Sequence, residues 1–226
     1  EILPGTRVIL RMDLDVADND NSRLVKSIST IRLLLEKQCK IAIIGHRGRP
    51  TSVGATAANP DGFSLRPVYL ELMSLLEPNG ENLIESIFVE DINDSEKLDL
   101  ALAKNQIVFL ENLRFWKGEE NNDPDFLKSL VEVCQFYVND AFAVAHRKHR
   151  SIMLYKNLPG FYGLSFIEEV NKIAKVIENP ERPLTIVLGG AKEDKLKYLS
   201  ELVDKADNVL VGGKLPKLID SEKLTV

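Results

Sequence analysis

Cationic side chains recur along this chain just after short apolar runs. Arg11, with Asp13 and Asp15, follows the first run, and Gly45-His46-Arg47-Gly48-Arg49-Pro50 follows the second. Two later runs are followed by Glu111-Asn112-Leu113-Arg114 and by Asn139-Asp140-Ala141-Phe142, with His146-Arg147 beyond. Arginine presents a planar fork of donors that matches phosphate and carboxylate oxygens in pairs, so several of these residues converging would make a pocket for a small polyanion. Taken singly, any of the arginines reads as well as half of a surface ion pair of little energetic worth. His46 alone reads as a hydrogen-bonded structural residue, but its neighbouring glycines would let a ligand approach the backbone closely. The set as a whole argues for a site.

A second group lies further along. Leu188-Gly189-Gly190-Ala191-Lys192 would join a strand to a helix, a turn whose small residues admit a phosphate and whose Lys192 could place a point charge on a transferring phosphoryl group. Val211-Gly212-Gly213-Lys214 ends a later run in a similar way. The first reads equally as a tight turn with a solvated lysine, and the second reads more readily as a plain turn. Neither is a GxxxxGK[ST] loop or a GxGxxG fingerprint. No Ser-His-Asp or Cys-His arrangement competes with them.

The elements that would carry these residues alternate. Arg7 to Arg11 reads as a buried strand, and Leu24, Ile28, Ile31 and Leu35 follow at helical spacing. Lys40 to Ile44 reads as a strand, Leu65 to Leu76 as a helix, and Ile87 to Val89 and Gln106 to Leu110 as strands. Asn122-Asp123-Pro124 would open a helix as cap and first-turn proline, carrying Phe126, Leu127, Leu130, Val131 and Cys134 before a strand at Phe136 to Val138. Strands without internal alternation, separated by amphipathic helices, predict an α/β fold: a doubly wound parallel sheet with helices on both faces. Ligands of such sheets bind beyond the carboxyl ends of the strands, where the cationic residues stand. A helix from about Ser165 to Glu178 ends at Asn179-Pro180-Glu181-Arg182-Pro183. The alternation then restarts with a strand at Leu184 to Leu188, a helix at Lys195 to Val203 and a strand at Asn208 to Val211, the start of a second Rossmann-like α/β domain. The expected division is 1–164, then a connecting helix and hinge at 165–183, then 184–226.

Composition narrows the function. Lys and Arg number 29 against 34 Asp and Glu, a formal charge of -5, so no long-range field draws the protein to nucleic acid or an anionic membrane. No apolar run approaches a membrane span. Cys39 and Cys134 are too few for a disulfide framework and lie outside any CxxC or Cys/His metal spacing, which points to a reducing, cytoplasmic setting. A start at Glu1 without methionine and a stop at Val226 lead us to expect a piece of a longer chain.

In order, the motifs Leu10-Arg11-Met12-Asp13, Gly45-His46-Arg47-Gly48-Arg49-Pro50, Phe63-Ser64-Leu65, Leu110-Glu111-Asn112-Leu113-Arg114-Phe115, Val138-Asn139-Asp140-Ala141-Phe142, Ala145-His146-Arg147, Glu178-Asn179-Pro180-Glu181-Arg182-Pro183 and Leu188-Gly189-Gly190-Ala191-Lys192 are present. The chain resembles the phosphoglycerate kinases over essentially its whole length. The resemblance implies transfer of the acyl phosphate of 1,3-bisphosphoglycerate to ADP, giving 3-phosphoglycerate and ATP with Mg2+, by a monomer. It implies that Asp13, Asp15, Arg23, His46, Arg49, Arg114 and Arg147 hold the glycerate substrate. Arg23 and Lys192 would lie nearest the transferring group. Gly189, Gly190, Ala191, Lys192, Lys195, Gly212 and Gly213 would meet the nucleotide. It also implies that the Mg2+ ligand and most of the adenine pocket lie beyond Val226, so that these residues alone are inactive.

Four positions depart from the family's pattern. Asp15 stands where an Asn is usual, Ala143 replaces a Gly, Lys214 replaces a third Gly, and the Lys192 to Lys195 spacing is one residue short. A carboxylate cannot donate to an anion as an amide can, so Asp15 predicts altered substrate binding. Two other readings follow from the residues: a noncatalytic anion-binding module, favoured by Asp15 and the short lysine spacing, and a nicotinamide-dependent Rossmann enzyme, which would need a Gly-rich first turn absent here.

Overall fold

The computed structural model describes residues 2–16, 20–50, 54–60, 62–77, 80, 83–190, 196 and 199–219. They fall into two compact units, residues 1–169 and 170–226.

The first unit is built on six parallel strands: β1 (Arg7–Arg11), β2 (Lys40–Ile44), β3 (Ser86–Val89), β4 (Ile107–Leu110), β5 (Phe136–Asn139) and β6 (Gly160–Tyr162). Their order across the sheet is β3-β4-β2-β1-β5-β6. Between them run α1 (Ser22–Glu36), α2 (Arg66–Leu76), α3 (Ser95–Lys104), α4 (Lys117–Glu120) and α5 (Lys128–Val133), and α6 (Leu164–Glu178) follows β6. The unbroken apolar strands have the expected cause. Val8 and Leu10 enter one core with Leu24, Ile31 and Leu72 of α1 and α2, while Ile9 enters another with Leu98, Leu102 and Leu130 of α3 and α5. Successive strand residues point to opposite faces, so a sheet covered on both sides needs apolar residues at both parities.

The chain winds outward from β1 through β2, and after β4 it crosses back to β5 and β6 on the other side of β1. The winding reverses between β1 and β5. A crevice opens at such a reversal beyond the strand carboxyl ends.

Four elements of the first unit differ from the sequence expectation. The helix expected to open at Asn122-Asp123-Pro124 begins only at Lys128. Asn122 and Leu127 adopt positive φ of 54° and 65°, and the Arg150 guanidinium donates to the carbonyls of Pro124 and Phe126, holding the intervening segment outside a helix. Helices α3 and α4 and strand β6 are additions. Asp94 caps α3 by accepting from Lys97 N at 3.1 Å, and β6 pairs in parallel with β5.

Helix α1 ends in a Schellman turn, with Gln38 N donating to Leu35 O at 2.8 Å and Cys39 N to Leu34 O at 3.0 Å. Gln38 occupies the left-handed position at φ 56°, and its side chain is exposed. Replacing Gln38 by Gly removes the Cβ penalty there and is expected to stabilise the first unit by about 1 kcal/mol. A urea midpoint that falls in Gln38→Gly would contradict this.

The second unit carries β7 (Thr185–Leu188), α7 (Leu199–Lys205) and β8 (Asn208–Val211), with β7 and β8 paired in parallel. The helix expected from Lys195 to Val203 is described from Leu199. Asp207 Oδ2 accepts from Leu184 N at 2.6 Å and from Arg182 Nη1 at 2.8 Å, which holds the entry to β7. Among the described residues no helix is long and apolar enough to cross a membrane.

Candidate functional site

The strand-end residues of the first unit form a network around a buried cation. Arg11 closes β1 and is fully buried. Its Nη1 donates to Met12 O at 2.6 Å, its Nε to Ser151 Oγ at 3.4 Å, and its Nη2 meets His46 Nδ1 at 2.7 Å. A guanidinium has only donors, so His46 Nδ1 accepts and the imidazole proton resides on Nε2. Burial, then the charges of Arg11, Arg114 and Arg147, hold the His46 pKa far below its ordinary value, which keeps the ring neutral.

Arg114 is 3% exposed and its Nη1 donates to Gly48 O at 2.6 Å. Its Nε is buried without a hydrogen-bond acceptor, although Glu120 Oε1 stands 3.3 Å away. Burial lowers the Arg114 pKa, and the neighbouring Arg147 lowers it further. Arg11, Arg114 and Arg147 thus repel one another electrostatically, and an anion placed among them would relieve that repulsion and supply the missing acceptor.

Asp13 and Asp15 work differently from the arginines. Asp13 accepts from Arg23 Nη1 through Oδ1 at 3.0 Å and Oδ2 at 3.1 Å. It holds an arginine whose side chain is 46% exposed and free to meet solvent or ligand over much of its length. Asp15 Oδ1 accepts from Gly48 N at 2.8 Å. Gly48 has φ of 59°, and a Cβ there would stand 2.5 Å from the Phe63 ring, so the close approach of that loop requires glycine. Arg49 is exposed on the same loop, and Arg147 is half-buried.

Glu111 and Asn112 fasten the loops that carry these groups. Glu111 Oε1 accepts from Leu65 N and Asn112 N, both at 2.7 Å, and Oε2 accepts from Ser64 Oγ at 2.7 Å. Asn112 Nδ2 donates to Arg47 O at 2.8 Å and Phe63 O at 2.9 Å, while Oδ1 accepts from Arg114 N at 3.1 Å. Asp140 is likewise structural: its Oδ1 accepts from Ser165 N at 3.0 Å and Phe166 N at 3.2 Å, capping α6.

Sequence reasoning passed over Glu119, His149 and Ser151. Glu119 is fully buried, and it accepts from Ser151 Oγ at 2.6 Å and Ser151 N at 2.9 Å. It lies in the charged run Lys117-Gly118-Glu119-Glu120, which reads as solvated. The one available signal is Gly118, whose absent Cβ would meet Phe126 at 2.7 Å and so marks close packing there.

In the second unit the glycine turns after β7 and β8 meet. Gly212 N donates to Leu188 O at 2.9 Å and Lys214 N to Gly190 O at 3.0 Å. A Cβ on Gly213 would lie 2.6 Å from Gly190 O. Gly189, Gly190, Gly212 and Gly213 are therefore described, whereas Ala191, Lys192 and Lys195 lie outside the described residues. Among the described residues no group of three or more His, Cys, Asp or Glu side chains could hold a metal ion. A cavity of about 310 Å³ opens elsewhere in the first unit, against Tyr137, Ile152, Tyr155, Phe161, Tyr162 and Phe166. None of its lining residues is cationic, so it does not share the chemistry of the strand ends.

The family model for phosphoglycerate kinase matches residues 2–220. A phosphoglycerate kinase of Dictyoglomus turgidum is 36% identical over 220 residues, which is 94% of this chain and 53% of the relative. One of Finegoldia magna is 36% identical over 218 residues, 92% of this chain and 53% of its own. The crystal structure of phosphoglycerate kinase from Pyrococcus horikoshii OT3 superposes with a TM-score of 0.77 at 30% identity, over 97% of this chain and 57% of that one. The Coxiella burnetii enzyme does so at 0.72 and 32%, over 96% and 54%. The chain spans about half the length of the curated relatives it matches. By sequence and by fold, this chain belongs to the phosphoglycerate kinase family.

Proposed function

We propose that the strand-end cluster of residues 1–164 binds 3-phosphoglycerate and 1,3-bisphosphoglycerate, as the substrate half of a reversible phosphoryl transfer to ADP. The observation that carries this reading is the buried Arg114, whose Nε lacks an acceptor beside the cationic Arg11 and Arg147. In that site Arg114, Arg147, Arg49 and the His46 Nε2–H hold the anion, and Asp13 steadies Arg23 near the transferring group. Phosphoryl transfer demands alignment and stabilisation of charge on the equatorial oxygens, and little covalent chemistry from the protein. Lys192 and the glycine turns at Gly189, Gly190, Gly212 and Gly213, with Ala191 and Lys195, supply the beginning of the nucleotide half. Mg2+ neutralises nucleotide phosphate charge in such reactions. The protein acts in the cytoplasm as a monomer.

These 226 residues alone are expected to form no measurable ATP from 1,3-bisphosphoglycerate and ADP in a coupled assay. Turnover by the short chain at the rate of a full-length relative would contradict the division of labour.

Asp15 offers a sharper test. Asn at this position keeps an oxygen for Gly48 N and adds a donor in place of a negative charge. Asp15→Asn is therefore expected to tighten 3-phosphoglycerate binding about fivefold, or about 1 kcal/mol. Equal affinity of the two proteins in a calorimetric titration would sink this account of Asp15.

A further inference from the structure

The buried chain behind His46 has no counterpart among the substrate-holding residues. Glu119, a buried carboxyl group whose pKa is raised by burial against the opposing pull of Ser151 and Arg11, engages Ser151 twice, through Oγ at 2.6 Å and N at 2.9 Å. Because the serine hydroxyl spends its one proton on Glu119, its oxygen is turned toward Arg11 as an acceptor, and Arg11 Nε lies 3.4 Å away. The Nη2 of the same guanidinium meets His46 Nδ1 at 2.7 Å. Glu119 also supplies the largest attraction acting on Arg11, opposing the cost of burying that cation. A cation buried without such a partner would be expelled toward water.

We propose that Glu119 and Ser151 are positioning residues of the strand-end site, acting through Arg11 to fix His46 as the Nε2–H tautomer. The consequence for ligand selection is specific. His46 becomes a one-way donor, able to meet a phosphate or carboxylate oxygen through Nε2 and unable to accept from a hydroxyl or amide there. Only the use of that donor on 3-phosphoglycerate rests on the function proposed above; the tautomer itself does not.

Long-range proton-nitrogen correlation spectra of the chain labelled with 15N-histidine read the tautomer directly, and three histidines make assignment tractable. The native His46 is expected to show a protonated Nε2 and a bare Nδ1, stationary between about pH 5 and 8 while an ordinary imidazole titrates. Glu119→Gln is expected to yield mixed tautomers at His46 and about tenfold weaker 3-phosphoglycerate binding. Ser151→Ala, the milder change, should mix the tautomers and weaken binding about threefold, and Ser151→Thr, which keeps the hydroxyl, should restore the native spectrum. If Glu119→Gln does not fold, the pair of serine variants decides. A single Nε2–H tautomer persisting in folded Ser151→Ala overturns the proposal, as does a native His46 carrying its proton on Nδ1. Native chain that fails to bind 3-phosphoglycerate while its His46 responds as described would instead overturn the substrate reading and leave the positioning network standing.

Discussion

Arg114→Ala is expected to weaken 3-phosphoglycerate binding about a hundredfold, equivalent to about 3 kcal/mol, the scale for truncating a buried, hydrogen-bonded charge at a binding site. Two losses combine. The anion loses a rigid fork of donors in a desolvated place, and Gly48 O loses the bond that ties its loop to the end of β4 at 2.6 Å. Arg114→Lys separates the two, because an ammonium keeps the charge but cannot present the fork. It is expected to fall between native and alanine, about tenfold below native. Raised salt should weaken all three proteins far less than it weakens a surface charge contact. Equal affinity of native protein and Arg114→Ala would remove Arg114 from the site.

Gly163→Ala should cost the first unit about 3 kcal/mol of stability, the sum of a lost helix cap and an overpacked contact. The Cβ would stand 2.1 Å from Asp140 Oδ1, the atom that accepts from Ser165 N and Phe166 N. Asp140 sits at the end of β5 and its own N donates to Arg11 O at 2.9 Å, so moving the carboxylate disturbs both the start of α6 and the strand ends. A loss of that size corresponds to a thermal midpoint lower by about 9 °C in a chain of this length. Because the cap can be lost only once, Gly163→Ala combined with Asp140→Ala should lose less than the two single changes summed. Strict additivity would show that the glycine does not act through Asp140.

The sequence made the sheet legible because its central strands lie between two helical layers and are apolar at both parities. Strand β6 escaped notice for the opposite reason: Gly160, Phe161 and Tyr162 form a three-residue edge strand exposed to solvent, with no buried run to mark it. Helix α3 buries only Leu98 and Leu102, so its apolar stripe is thin. The late start of α5 depends on Arg150, which lies 24 residues from Phe126, and no local pattern carries that information.

The site divides along the same line. Arginine and histidine after apolar strands mark where ligands of a parallel sheet bind, and those residues could be named from type and position alone. The supporting groups could not. Glu119 is buried inside a run of charged residues, and its partner Ser151 is 32 positions away. Glu111 and Asn112 were noticed as neighbours of Arg114, but their work, fastening the Phe63 to Leu65 segment and the Arg47 loop, depends on contacts 46 to 65 residues apart.

The central claim is that the first unit holds a formed site for 3-phosphoglycerate, and a calorimetric titration of this chain with that ligand tests it most directly. The account predicts saturable binding that persists at raised salt and drops sharply in Arg114→Ala. A chain shown to be folded by its spectra yet giving no saturable heat with 3-phosphoglycerate would contradict it.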